Sequence, residues 1–363
     1  MKVKQGEERE HNAAARRGQG GKMHGRKREP KDVKHSAARV EAKRRKAKLY
    51  AQLSRECFSR RREKRYDEET LALCEKLLEM NCELYTLWNH RKEYLEPVLG
   101  GGESEADSGR VKSAGQKELR LIESCLQKNP KSYCCWQHRK WVVELHTALP
   151  SSAHDASLLD REVGLCDLLL TADERNFHCW SYRRFVCSLH RGKEPESELD
   201  YTAEKIAQNF SNYSAWHYRS ALLKECNKTT TLRDLEGGGD VAYKRVLPPH
   251  VLDEEFALVK EAFYTEPEDQ SAWLYHAWLV GHIAETRTTE EVDERIGAEV
   301  ATMEEVLEVE PGSKWPQLCL ARLLSMPTSR EDKGRAKELY SALAGEDPKR
   351  AGYYRDAMAA LDR

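Results

Sequence analysis

One short pattern recurs along this chain and fixes what it can fold into: an aromatic residue, two spacers, tryptophan, two spacers, arginine. It reads Tyr85-x-x-Trp88-x-x-Arg91, Tyr133-x-x-Trp136-x-x-Arg139, Phe177-x-x-Trp180-x-x-Arg183 and Tyr213-x-x-Trp216-x-x-Arg219. A fifth copy, Gln270-x-x-Trp273-x-x-His276, keeps only the tryptophan, and a degenerate sixth is placed at Trp315. The tryptophans of the five copies lie 36 to 57 residues apart. Self-similarity at such a period marks a stacked repeat protein, because a unit this small cannot bury its apolar face alone.

Each copy has two parts. Upstream lies a stretch with apolar residues at helical spacing: Leu71, Cys74 and Leu78, then Leu119, Ile122 and Leu126, then Leu159, Val163, Cys166 and Leu170. Leu199, Ala203 and Ile206 continue the series, followed by Phe256, Val259 and Phe263. A short breaker follows, such as Asn129-Pro130, Asp173-Glu174 or Glu266-Pro267-Glu268, and then a second helix on which Trp and Arg share a face. Helix, turn and helix, repeated, predict an all-α fold: an α-α superhelix, or solenoid, of five to six helical hairpins. No segment alternates β-branched residues over any length, so no sheet is expected.

The formal net charge of −1 conceals an uneven distribution. Residues 1–48 hold 17 Lys/Arg against 6 Asp/Glu. With few large apolar residues this segment cannot offset its ordering entropy. It divides into a basic, disordered tail over residues 1–36 and a helical-repeat domain over 37–363, with helix starting near Ala37. The tail's charges are not interleaved with aromatic rings, so it reads as solvated and no nucleic acid is expected. The eleven cysteines form no CxxC pair. Most of them, such as Cys74, Cys125 and Cys166, sit on apolar helix faces as small hydrophobes, so no metal is assigned to this chain. The N-terminus lacks a secretory apolar segment and no run reaches transmembrane length, which fits a reducing, cytoplasmic setting. The segments Gly100 to Gly109 and Thr229 to Gly239 read as loop insertions.

A buried tryptophan needs an acceptor for its indole N–H. A buried arginine needs several acceptors, best supplied by carbonyls or carboxylates of the adjacent repeat. Ser132, Asn176 and Asn212 stand where the second helices begin and suit N-capping. Lys131 precedes one of these caps, and His178 lies in the first turn of the next hairpin's second helix. Such a rim of helix N-termini and cationic side chains favours a phosphate or diphosphate. There is no P-loop, HExxH, GxSxG or dinucleotide fingerprint. The residues alone describe a helical scaffold without a complete catalytic set.

The wording of the repeats then carries a resemblance. Asn129-Pro130-Lys131-Ser132-Tyr133, Asp173 through Trp180, Asn209 through Ser220 and Asp269-Gln270-Ser271-Ala272-Trp273 resemble protein prenyltransferase α subunits, most closely that of Rab geranylgeranyltransferase. The resemblance runs from about Met23 to near the C-terminus. It implies helical hairpins wrapped around an α/α-barrel β subunit, which supplies a zinc site and a lipid funnel. By resemblance, Lys131 matches the family's diphosphate lysine and Tyr133 its neighbouring active-site tyrosine. Asn176 and His178 match a rim asparagine and histidine, and Phe177 stands where farnesyltransferases have tyrosine. The implied substrates are geranylgeranyl diphosphate and Rab GTPases presented by a Rab escort protein. Two departures are expected. The chain has no room for the immunoglobulin-like or leucine-rich-repeat modules of animal Rab enzymes, and Met23 resembles the start of related chains.

Two other readings compete. The α subunit shared by farnesyltransferase and type I geranylgeranyltransferase would keep the fold and Lys131 but act on CaaX proteins. A non-enzymatic, tetratricopeptide-like peptide-binding scaffold would be stable without a partner.

Overall fold

The computed structural model describes residues 37–99, 105–148, 156–190, 192–230, 243–285, 287–327 and 332–362. The basic tail expected over residues 1–36 lies outside them, as do residues 100–104 and 231–239 of the two insertions. The chain divides into two compact units, one ending at Pro97 and one beginning at Val98.

In the first unit, α1 (Ala37–Arg62) packs on α2 (Glu68–Met80), which is bonded to α3 (Tyr85–Leu99). Helix α1 is described from Ala37, the first of the described residues. Asp67 caps α2, accepting from the Thr70 amide at 2.8 Å. Arg91 of α3 donates to the Leu71 carbonyl of α2 at 3.0 Å, closing the hairpin.

The second unit continues as hairpins: α4 (Glu105–Lys128) with α5 (Tyr133–Ala148), α6 (Ala156–Ala172) with α7 (Phe177–Leu189), and α8 (Pro195–Gln208) with α9 (Tyr213–Cys226). Next come α10 (Pro249–Thr265) with α11 (Gln270–Val280), α12 (Thr289–Val309) with α13 (Lys314–Leu324), and α14 (Lys333–Glu346) with α15 (Ala351–Ala360). The last pair carries no tryptophan motif. The second helices pack in series, α5 on α7, α7 on α9, α9 on α11 and α11 on α13, which makes this unit an α-α solenoid.

One expectation fails. A two-stranded antiparallel ribbon pairs β1 (Lys228–Thr230) with β2 (Tyr243–Arg245), Lys228 opposite Arg245. It ties together the two stems of the Thr229 insertion. Three residues per strand are too few to produce a readable alternation, so the sequence gives no warning of it.

The indole of each of the five motif tryptophans donates to the carbonyl six residues earlier, at the turn into its own helix. Trp88 reaches Cys82, Trp136 Pro130, Trp180 Glu174, Trp216 Phe210 and Trp273 Pro267, at 2.7 to 2.9 Å. The sixth hairpin corrects the sequence assignment. Gln317 occupies the tryptophan register and donates to Pro311, six residues back, at 3.3 Å. Trp315 instead reaches the Glu268 carbonyl of the preceding hairpin.

Three of the motif arginines face the following hairpin. Arg139 forks onto Glu162 of α6 through Nε at 2.5 Å and Nη2 at 2.7 Å. Arg183 does the same with Glu198 of α8, and Arg219 with Glu255 of α10. Tyr182 and Tyr275 donate to the same Glu162 and Glu255 carboxylates at 2.6 and 2.7 Å. Burial works against the charge on Arg139 and Arg183, but Glu162 and Glu198 outweigh it and hold both above their ordinary range. A buried charge is tolerated only when paired and hydrogen-bonded in this way. The fifth copy replaces the arginine with His276, which meets Glu299 of α12 at 2.7 Å. Full burial pushes its pKa down to about 3, so it donates as a neutral imidazole. Arg295 of α12 supplies the countercharge to Glu299.

Candidate functional site

The rim is built turn by turn. At each turn an Asn or Asp accepts from the amide two residues on: Asn129 from Lys131, Asp173 from Arg175, Asn209 from Ser211. The next residue caps the second helix. Ser132 accepts from the Cys135 amide, Asn176 from Cys179 and Asn212 from Ala215, each at 3.3 Å. The first helical residue follows and points outward. Tyr133, Phe177 and Tyr213 are 61%, 54% and 53% exposed, whereas the tryptophans three residues later are buried.

Neighbouring turns are latched together. The Asn176 side-chain amide donates to the Pro130 carbonyl at 3.0 Å, the same oxygen that accepts from Trp136. Asn209 donates to Glu174, and the Ser211 hydroxyl donates to Glu266 at 2.6 Å. These bonds hold the rim of one hairpin against the next.

The structure brings together four of the five predicted site residues. The Tyr133 ring meets His178 edge-on at 4.2 Å and Phe177 at 6.1 Å, and Phe177 lies 3.9 Å from His178. His178 is 7% exposed, covered by the two rings. Asn176 is 1% exposed, and both ends of its amide are engaged, one as cap and one as latch. It therefore positions the rim. The fifth residue, Lys131, lies on the same turn as Tyr133. Its ammonium contacts the Asp173 carboxylate at 2.9 Å, with both side chains more than a third exposed. An anion approaching Lys131 competes with Asp173 for it.

Sequence reasoning passed over Arg175. It holds the same register on its turn as Lys131 does one hairpin earlier, directly before the capping residue, and it is exposed. The register itself was the available signal. Cys134 holds on α5 the register that His178 holds on α7, and Asp173 is engaged by Lys131. Among the described residues, one group of three His, Cys, Asp or Glu side chains brings its ligand atoms within 4.8 Å of one another, and it lies on α1–α3.

A family model described as the Protein prenyltransferase alpha subunit repeat matches residues 67–96, 116–146, 159–190, 195–226 and 252–283. These segments coincide with the hairpins α2/α3 through α10/α11. The chain belongs to the protein prenyltransferase α subunit family. The rat Geranylgeranyl transferase type-2 subunit alpha is 42% identical over 263 residues, covering 71% of this chain and 42% of the relative. The human protein of the same name is 41% identical over the same shares. The Schizosaccharomyces pombe counterpart is 31% identical over 176 residues, 44% of this chain and 48% of its own. The chain thus spans less than half the length of these relatives. A chain of the Candida albicans protein geranylgeranyltransferase-I complexed with GGPP matches in structure with TM-score 0.63. It is 19% identical over 86% of this chain and 91% of its own, so that likeness bears on the fold alone.

Proposed function

We propose that this chain is the α subunit of a heterodimeric Rab geranylgeranyltransferase. The enzyme transfers geranylgeranyl from geranylgeranyl diphosphate to C-terminal cysteines of Rab GTPases. A β subunit joins the rim of second-helix N-termini and carries the catalytic zinc, and a Rab escort protein presents the substrate. The zinc, when bound by that partner, supplies the substrate cysteine as thiolate. The thiolate sulfur bonds to C1 of the lipid as the C1–O bond breaks, and the electron pair leaves with the diphosphate.

This chain's part is electrostatic. Lys131 turns from Asp173 to the departing diphosphate and stabilises the charge that develops there. Tyr133 places its hydroxyl beside the same group, and Phe177 with His178 shapes the adjoining wall. Asn176 fixes the two turns in register through Pro130. The observation that supports the reading is this juxtaposition: Lys131 and Tyr133 on one turn, latched to Phe177 and His178 on the next. The names of the relatives at 41–42% identity favour Rab substrates over CaaX proteins. The setting is cytoplasmic, in keeping with the finding that no helix among the described residues is long and apolar enough to cross a membrane. The helical-repeat domain covers residues 37–363 and the basic tail residues 1–36.

Co-expression with a type II β subunit, followed by single-turnover transfer from labelled geranylgeranyl diphosphate, tests this. Transfer to a Rab protein that depends on added escort protein is expected. Escort-independent transfer to a CaaX peptide would assign the chain to the other class of prenyltransferase. A monomer that ignores β subunits would leave only a scaffold.

A further inference from the structure

The three helices of the N-terminal unit each send one ligand side chain to a single point. Cys57 comes from α1, Cys74 from α2 and His90 from α3, and they are 0%, 1% and 2% exposed. The two sulfurs lie 3.4 Å apart, and Cys74 Sγ lies 3.7 Å from His90 Nδ1. All three ligand atoms fall within 4.8 Å of one another. Zinc bonds of about 2.3 Å to sulfur and 2.0–2.1 Å to nitrogen, in tetrahedral array, separate the ligand atoms by roughly 3.5–3.8 Å. The observed spacings need only a few tenths of an ångström of adjustment at the measured pairs.

We propose that Cys57, Cys74 and His90 form a binding site for a thiophilic divalent cation, zinc in class, that clips α1 onto the α2/α3 hairpin. Charge supports the assignment. Two thiolates and a neutral imidazole around a divalent ion sum to zero, which is the arrangement a buried site tolerates. Binding releases two thiol protons to solvent, and His90 ligates through Nδ1 as a neutral ring. A narrow recess lined by Tyr66, Asp67, Thr70, Leu71 and Tyr94 adjoins Cys74 and His90. Helix α1 supplies the need. It runs 26 residues, is rich in Lys and Arg, and has Cys57 as its one fully buried side chain. A helix with so little apolar anchorage gains most from a bond at that residue. This site is separate from the catalytic zinc assigned above to the β subunit.

Titrating the reduced full-length chain with Co²⁺ under anaerobic conditions tests this. One equivalent of a thiolate-to-cobalt charge-transfer band is expected, bleached by Zn²⁺ and accompanied by a rise in Tm. Cys57→Ser and His90→Ala should each weaken or abolish the band, whereas Cys166→Ser, altering a buried cysteine on α6, should keep it. Absence of the band in a wild-type chain with native helical circular dichroism would overturn the proposal. So would a band of full intensity in folded Cys57→Ser.

Discussion

The seam between hairpins and the rim at their turns are built from the same motif, a few residues apart, yet they behave as opposites. On the seam, Arg139, Arg183 and Arg219 are each forked onto a glutamate of the following hairpin. On the rim, Lys131 and Arg175 stand exposed, and the exposed Tyr133 and Phe177 cover a histidine. The seam recurs at these three junctions because each poses the same packing problem. Under the proposed function, the rim varies because only certain hairpins face the diphosphate and the β subunit. Recurrence at a buried register then marks packing, and variation at the exposed turn residues marks where function is to be sought.

The largest effect should come from breaking the seam. Arg139→Ala leaves Glu162 buried without its countercharge and should destabilise the chain by about 3–5 kcal/mol. Denaturant unfolding measures this, and a loss below about 1 kcal/mol would mean the pair contributes nothing beyond its shape. Lys131→Ala attacks the rim instead. It should leave the unfolding midpoint within about 0.5 kcal/mol of wild type. It should also slow single-turnover prenyl transfer ~10²–10³-fold at saturating lipid, with β-subunit binding intact. Transfer at the wild-type rate would reduce Lys131 to a surface ion pair with Asp173.

Asn176→Ala probes where the two regions meet, since that amide both caps α7 and latches the turns. A loss of about 1–2 kcal/mol is expected from the cap and the lost bond to Pro130. Transfer should slow as well, because Phe177 and His178 lose their register with Tyr133. The smallest effect lies at the degenerate seam position. His276 has a folded pKa pushed down by burial to about 3, against an unfolded value near ~6.5. Between those values the unfolded chain binds the extra proton, so stability is complete above the unfolded pKa and declines as pH falls toward the folded one. Burial would raise the Glu198 carboxyl, but its bond to Arg183 and the Lys193 ammonium hold it below its ordinary range. It adds a decline of the same sign at lower pH. His276→Gln should flatten the dependence between pH 6 and 5 by up to ~1.4 kcal/mol. An unchanged acid limb would show that His276 is already charged in the folded chain.

The repeat made the hairpins legible before any coordinates, since period, breakers and helical spacing all point to one architecture. The rim residues Lys131, Tyr133, Phe177 and His178 were legible too, through their place at the helix starts and the family resemblance. Seam glutamates such as Glu162, Glu198 and Glu255 were not, because a charged residue on an amphipathic helix reads as solvent-facing until its partner is located. Gln317 was missed for a related reason: tryptophan identity pointed to Trp315, and only the carbonyl six residues back reveals which residue keeps the register.

The sequence by itself determined the repeating unit, its caps and its buried tryptophans, because those depend on interactions within about twenty residues of chain. Tertiary structure decided what lies across a junction: which carboxylate meets each arginine, that Asn176 latches onto Pro130, and that Cys57, Cys74 and His90 converge. These pairings join residues that spacing along the chain does not relate. They are set by how one helix lies against the next, a geometry that packing fixes and no local pattern encodes.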